Sequence, residues 1–269
     1  MIENTDRLRT ALRGILPQSV YQKGADALDS FQVVRKEGCE TWQRLREASR
    51  KDVRAGGDLI SLSLRCLEHP FFIRQGTPDA HHVISCIIRG EYGRLPLMTE
   101  PKWMIDAGAY IGDTSVYFLN RFRDLRVIAI EANPQNYKIA RQNLAPYASR
   151  CTLLQKGVWK SNSKLRLKND LNFTYVEEVP REQAEFDLEG IQIDTIMSEH
   201  QIPRISILKM DIEGAEAHVF SSPDQNWLSK TDLLIIEIHN AEAFSAVEKA
   251  LSKLQFRMIK WRSVFYCYK

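Results

Sequence analysis

The sequence predicts an α/β protein with a mostly parallel sheet that ends in an antiparallel hairpin, preceded by a helical extension. Three observations carry this. From Trp103 onward, apolar runs short enough for buried strands (WMIDAG, RVIAIEA, CTLLQKGV, ISILKMD, DLLIIEI) alternate with helical stretches (DTSVYFLNRF, NPQNYKIARQNLA, GAEAHVFSS). Such alternation marks βαβ units, and strands buried on both faces need not alternate polar with apolar residues. After a last helical stretch, AEAFSAVEKALSKL, the runs FRMIKW and VFYCYK are separated only by Arg262 and Ser263, a connection short enough for an antiparallel pair. Upstream of residue 95, ENTDRLRTALRGIL and CETWQRLREASRKDV carry apolar residues at three-to-four spacing, which predicts helices.

The remaining elements follow in order. RAGGD at Arg54–Asp58 breaks the second helix. Further helices are expected over Leu59–Leu67 and His82–Arg89. Residues 1–95 are therefore read as a helical extension that could act as a lid, and residues 96–269 as the α/β domain. One stretch departs from the rhythm: between CTLLQKGV and ISILKMD the expected crossover helix is missing. KLRLKND, FTYVEEV and EGIQIDTIM stand there instead and read as extra strands or loops.

Composition narrows the class. The 37 basic and 34 acidic residues leave a net charge of +3, too small for the concentrated basic stripe of a nucleic-acid binder. The local excess at Arg44, Arg46, Arg50, Lys51 and Arg54 reads as a solvated helix face. Five cysteines, odd in number and without a Cys-x-x-Cys pair, argue against a zinc site and against a disulfide framework. No run approaches the roughly 20 apolar residues of a membrane span, and the first residues lack the apolar stretch of a signal peptide. The expectation is a cytoplasmic protein with no nucleic-acid partner and no membrane span; its oligomeric state is not legible.

Four motifs carry chemistry. Asp106-Ala-Gly108-Ala109-Tyr-Ile-Gly112-Asp113-Thr114 joins a strand to a helix, where an open α/β sheet binds its ligand. Its glycines are spaced Gly-x-x-x-Gly, neither the dinucleotide fingerprint nor a P-loop. A turn flanked by Asp106 and Asp113 repels phosphate and suits a cationic ligand. On charge, S-adenosylmethionine, with a sulfonium and an ammonium, fits it better than NAD. Glu131, 19 residues after Gly112, ends the second strand and is placed to accept hydrogen bonds from ribose hydroxyls. Alone it reads equally as a helix N-terminal acid before Asn133-Pro134.

The third motif, Lys209-Met-Asp211-Ile-Glu213-Gly-Ala-Glu216, gathers three carboxylates at the carboxyl edge of a core strand. Such a cluster serves acid–base chemistry, metal ligation or recognition of a polar substrate; helix capping accounts for one or two of the acids but not for Asp211. The fourth is Glu237-Ile-His239-Asn240, which places a histidine on the same edge as a natural general base, unless it is structural. His218 reads as structural. His81 and His82 are adjacent and do not read as metal ligands.

The segments MIDAGAYIGDTS, IAIEANP, IQIDTI, ILKMDIEGAEAHVF and LLIIEIH resemble, in order and spacing, the FkbM-type methyltransferases, with LKxDxEGxE the most specific of them. The likeness covers roughly residues 100–240. Arg74-Gln-Gly76-Thr77-Pro-Asp79 and Gly90-Glu91-Tyr92 are similar, more loosely, to a segment that precedes the domain in many members. The resemblance implies a class I methyltransferase fold, Rossmann-like, with seven strands of which the last forms an antiparallel hairpin. It implies S-adenosylmethionine as cofactor and S-adenosylhomocysteine as product. Asp106, Gly108, Ala109, Gly112, Asp113 and Thr114 would form the methionine-side loop. Glu131 would hold the ribose, with Ala132 and Asn133 also among the cofactor-binding residues. Gly157 and Val158 would lie near adenine, and Asp211 near the methyl group.

The favoured reaction is O-methylation of a hydroxyl on a sugar or natural-product small molecule. Asp211 or His239 is the candidate base, and Glu213 and Glu216 the acceptor-orienting acids. Tyr92 and Arg74 are candidate acceptor contacts. A divalent metal on Asp211 and Glu213 is a secondary option, and no metal ligand is assigned. The alternatives are a non-catalytic interaction protein on the same fold, a nucleotide-dependent oxidoreductase, and methylation at nitrogen or carbon.

Overall fold

The computed structural model describes residues 18–50, 57–93, 95–96, 99–169, 174–180 and 187–269. The chain divides into two compact units, Met1–Glu91 and Tyr92–Lys269. The expected helix over ENTDRLRTALRGIL lies wholly outside the described residues.

In the first unit, helices run over Gln18–Glu37 and Cys39–Arg50. The expected helix over Leu59–Leu67 is instead a strand, β1 (Leu59–Leu62), paired antiparallel with β2 (Phe71–Arg74), Leu59 opposite Arg74 and Leu62 opposite Phe71. The reason is in the sequence: Ile60-Ser61-Leu62-Ser63-Leu64 alternates with period two, and Leu62 and Leu64 are buried while the serine between them is exposed. The helix expected at His82–Arg89 is present as a short α-helix, Asp79–His82, that widens into a π-helical turn, Val83–Ile88, all of it buried. Arg74 donates from Nε and Nη2 to both carboxylate oxygens of Asp79, at 2.9 and 2.8 Å, and Asp79 is fully buried.

The second unit is a seven-stranded sheet in the order β12-β13-β11-β10-β3-β4-β5. Its strands are β3 (Trp103–Ala107), β4 (Arg126–Ile130), β5 (Cys151–Leu154), β10 (Ile205–Met210), β11 (Thr231–Glu237), β12 (Arg257–Trp261) and β13 (Val264–Tyr268). The first five are mutually parallel, and β13 runs antiparallel to both of its neighbours. The hairpin is the predicted one, with its second strand inserted beside β11. Helices Asp113–Arg121, Pro134–Leu144 and Ala241–Lys253 form where periodicity placed them. Asn133 caps the second, its side chain accepting from Gln135 N and Asn136 N, and Asn240 caps the third by accepting from Ala243 N. Ile105, Ile128, Leu208, Leu234 and Ile236 are buried in the sheet core, packed with Val247 and Leu251 of the last helix.

Two expectations are corrected here. CTLLQKGV is not one strand: it leaves the main sheet after β5, and β6 (Gly157–Val158) pairs with β9 (Leu188–Ile191) in a second sheet ordered β6-β9-β7-β8. The other strands of that sheet are β7 (Lys164–Asn169) and β8 (Thr174–Glu178). Nor is the crossover helix missing, because Ile193–Glu199 forms it. Ile193, Ile196 and Met197 are spaced i, i+3, i+4 and all buried, but the preceding apolar Ile191 belongs to β9 and blurs the helical period.

Candidate active site

The chain runs from β3 to β4 and β5 on one side of the sheet and from β10 to β11 on the other. The order therefore reverses between β3 and β10, and the carboxyl ends of those strands flank a crevice, the place where open α/β sheets bind ligands. A small cleft of about 70 Å³ opens there.

Gly108 forms the floor. It has φ +80, and a Cβ on it would fall 1.8 Å from the carbonyl oxygen of Asp211, so the turn after β3 touches the turn after β10 backbone to backbone. Gly108 N and Ala109 N both donate to Ile130 O, at 3.0 and 2.8 Å, and Asp211 N donates to Ala107 O at 3.0 Å. Three strand ends are thereby tied to one another. Gly112, φ +82, starts the helix Asp113–Arg121 against Leu144.

Glu131 faces the cleft from the end of β4. Its Oε2 accepts from Tyr110 N and its Oε1 from Asn133 N, each at 2.8 Å. It therefore spans the glycine turn and the start of the next helix. Burial pushes its carboxyl up to about 7, against the pull of those two backbone donors.

Asp211 and Glu213 line the cleft from the end of β10. Behind them Lys209, inside β10 and buried, donates to Gly108 O at 2.6 Å. It lies 3.6 Å from Asp106 and 3.7 Å from Asp211 Oδ2. Asp106 is fully buried and receives the Ser115 hydroxyl at 2.6 Å. Burial raises its pKa, with Lys209 opposing. Lys209 also sits over the Tyr92 ring at 5.8 Å.

His239, just past β11, completes the group. Its Nδ1 donates to Glu216 Oε1 at 2.8 Å, and its Nε2 lies 3.6 Å from Asp211 Oδ1 and 3.5 Å from Glu213 Oε2. Burial disfavours the imidazolium, but the hydrogen bond to Glu216 and the charges of the three carboxylates outweigh it, and the pKa rises to about 9. Burial, reinforced by the Asp211 charge, lifts the Glu213 carboxyl above its ordinary value. Asp211, Glu213 and His239 each offer one ligand atom within 4.8 Å of the others, so they could also hold a cation.

The structure sorts the sequence candidates. Gly108, Glu131, Ala132, Gly157 and Val158 line the cleft together with Asp211 and Glu213. Asp106, Ala109, Asp113 and Thr114 are buried, and Asn133 is a helix cap. Glu216 is fully buried, where it orients His239 and also accepts from Ile212 N at 3.3 Å. Arg74 is engaged with Asp79 in the other unit. His218 packs its ring on Trp159 at 4.3 Å.

Sequence reasoning missed three contributors. Lys209 carried a signal, a cation inside an apolar strand between acids. Lys156 and Tyr175 carried none, because they reach the cleft from the turn after β5 and from β8. Trp159 helps fix β8, its Nε1 donating to Glu178 Oε2 at 3.3 Å.

This strand order, with a ligand cleft at its reversal, defines a class I methyltransferase fold. The chain belongs to the FkbM methyltransferase family, whose domain model, Methyltransferase FkbM domain, matches residues 106–258. It is similar to the methyltransferase sdnD of Sordaria araneosa, 25% identical over 169 residues, which cover 50% of this chain and 65% of that protein. A 76-residue stretch is 32% identical to the ribosomal RNA small subunit methyltransferase H of Nocardia farcinica, covering 28% of this chain and 24% of that one. The crystal structure of methyltransferase FkbM from Methylobacillus flagellatus KT superposes with a TM-score of 0.50 at 20% identity, over 71% of this chain and 50% of that one. The chain thus spans 65% of the fungal relative and half of the bacterial structure. No helix among the described residues is long and apolar enough to cross a membrane.

Proposed function

We propose that this methyltransferase uses S-adenosylmethionine to methylate a hydroxyl of a small molecule. One observation carries the reading: a single cleft is walled by Glu131 on one side of Gly108 and by Asp211 and Glu213 on the other. The residues fit the cofactor. The cradle at Gly108 has no room for a Cβ. Glu131 presents a carboxylate where ribose hydroxyls can donate, and Tyr175 and Val176 supply a wall for an adenine ring. Asp211 brings a carboxylate to the cleft beside Gly108, which suits ammonium and sulfonium.

When bound, the cofactor supplies a methyl group on a sulfonium, and S-adenosylhomocysteine is the product. The chain's own part is to position the acceptor oxygen and take its proton. His239, with its pKa at about 9, already carries a proton at neutral pH, so of the two base candidates Asp211 is favoured. His239 and Glu213 then orient it and the acceptor. The buried Glu216 holds the imidazole in place.

Calorimetric titration with S-adenosylmethionine, S-adenosylhomocysteine and NAD tests the cofactor. Methyl transfer from labelled cofactor onto a panel of hydroxylated small molecules, amines and RNA tests the acceptor. Micromolar binding of the adenosyl compounds alone, and label only on hydroxylated molecules, is the expected result. Binding of NAD alone would sink the cofactor reading, and label on RNA or amines alone would sink the acceptor reading.

A further inference from the structure

The cluster at the ends of β10 and β11 has a geometry that hydrogen bonding leaves unexplained. The two carboxylate oxygens facing His239 Nε2 stand 3.5 and 3.6 Å away, beyond a normal N–H···O bond. Ligands about 2.1 Å from a shared cation are separated from one another by roughly 3.0–3.5 Å. The opposite ring nitrogen is committed, since Glu216 accepts from Nδ1. That contact holds the proton on Nδ1, so when Nε2 gives up its own proton its lone pair points at Asp211 and Glu213. A carboxylate behind a histidine is the recurrent support of a metal-bound imidazole.

A separate observation concerns Glu216 itself. It is fully buried, and its Oε2 has no hydrogen-bond partner among the described residues. A buried anion so poorly served calls for positive charge nearby. Lys209 does not supply enough: it faces Asp211 Oδ2, away from the His239 side, and is shared with Asp106. When no cation is bound the proton on His239 supplies that charge among the three carboxylates, and a divalent cation at Nε2 would take its place with a larger one.

We infer that His239, Asp211 and Glu213 form a binding site for a divalent first-row transition cation, held in place by Glu216. One imidazole nitrogen with two carboxylate oxygens suits Mn²⁺, Fe²⁺ or Zn²⁺ better than Mg²⁺ or Ca²⁺, which favour all-oxygen sets. Three protein ligands leave coordination positions open toward the cleft that Asp211 and Glu213 line. An acceptor hydroxyl entering one of them is made more acidic by the cation. Its proton passes to the uncoordinated oxygen of Asp211, and its oxygen bonds to the methyl carbon as the sulfur–carbon bond breaks. The catalytic part of this inference rests on the methyltransferase reading; the cation site does not.

The test uses the full chain, dialysed against a chelator and titrated with Mn²⁺, with free Mn²⁺ followed by electron paramagnetic resonance. The expected result is one saturable site per chain, weakened at least tenfold by His239→Ala and roughly 10–100-fold by Glu216→Gln. Glu213→Gln, at a partly exposed position, should weaken it at least tenfold as well and keeps the test decisive if His239→Ala does not fold. Thermal melting reports folding of each variant. Absence of saturable binding of Mn²⁺ and of Zn²⁺, or unchanged affinity in folded His239→Ala or Glu213→Gln, overturns the inference. Calorimetry with S-adenosylmethionine on the same chelator-treated chain separates the two readings. Cofactor binding without any cation site would defeat only this inference, and a cation site without cofactor binding would defeat only the methyltransferase cofactor reading.

Discussion

Glu131 should make the protein less stable at the pH where it works best. Its carboxyl is almost wholly buried, and burial holds its pKa at about 7 against an ordinary 4.5. A folded-state pKa raised for an acid means that the native chain binds more protons than the unfolded chain between those values. Stability present below pH 4.5 is therefore lost as pH rises, and the loss is complete a little above 7. At about 1.4 kcal/mol per pH unit the full penalty is about 3 kcal/mol, of which about 2 kcal/mol accrues between pH 5.5 and 8. Glu131→Gln abolishes the titration. It also removes one of the two oxygens that accept from Tyr110 N and Asn133 N, a cost of about 1–3 kcal/mol that does not vary with pH. The observable is thus a slope and not an offset. The melting temperature of the variant minus that of the natural chain should rise by roughly 4–8 °C between pH 5.5 and 8. Cofactor binding should move the other way. Ribose hydroxyls donate to the ionised form, so the natural chain should bind S-adenosylmethionine about tenfold more tightly at pH 8 than at pH 6, and the variant should bind weakly at both. Differential scanning fluorimetry and calorimetry at matched ionic strength measure both. A flat melting difference would refute the claim that burial keeps this carboxyl protonated, and with it the assignment of Glu131 as a group that cofactor binding ionises.

Gly108→Ala should abolish cofactor binding and cost more than about 2 kcal/mol, because its Cβ meets the Asp211 carbonyl and its φ is positive; binding retained in a soluble variant would contradict the cradle. Lys209→Met should destabilise the chain by about 3–5 kcal/mol in chemical denaturation, since it strips the buried Asp106 of its facing cation; a loss below about 1 kcal/mol would mean that Asp106 is already neutral. Asp79→Asn should lower the stability of the first unit by several kcal/mol without a selective rise in acceptor KM, because Arg74 serves the Asp79 ion pair; a KM effect at unchanged melting temperature would return Arg74 to the acceptor contacts. Trp159→Leu should loosen β8 and raise the S-adenosylmethionine Kd several-fold, measured by calorimetry; an unchanged Kd would separate the Tyr175 wall from cofactor binding.

The main sheet was legible because its strands are buried on both faces: runs such as VIAI at Val127–Ile130 and LLII at Leu233–Ile236 have no other plausible home. The turn at Asp106–Gly112 was legible because glycine at positive φ is a local requirement. The second sheet was only half legible. Gly157–Val158 looks like the continuation of β5, and nothing local says that it turns away to meet β9. The helix Ile193–Glu199 was hidden by Ile191, which belongs to a strand yet fits no single period with its neighbours. At the site, Asp211, Glu213 and His239 could be nominated from strand ends. The division of labour among them could not, because Glu216, which looks like an ordinary helix N-terminal acid, is the group that fixes the imidazole. Lys156 and Tyr175 reach the cleft through tertiary pairing, which leaves no periodic trace.

The position of β13 has a consequence for how the chain reaches this state. It follows β11 and β12 in sequence but is wedged between them. During synthesis β11 must therefore wait with an open, apolar edge until residues 264–268 leave the ribosome, while β12 waits without its native partner. Premature docking of β12 onto β11 would trap a six-stranded sheet that has to reopen before it can mature. An exposed strand edge of this kind also invites pairing between nascent chains. Slowing translation upstream of this hairpin should consequently lower the soluble yield, and slowing it upstream of β3 should not.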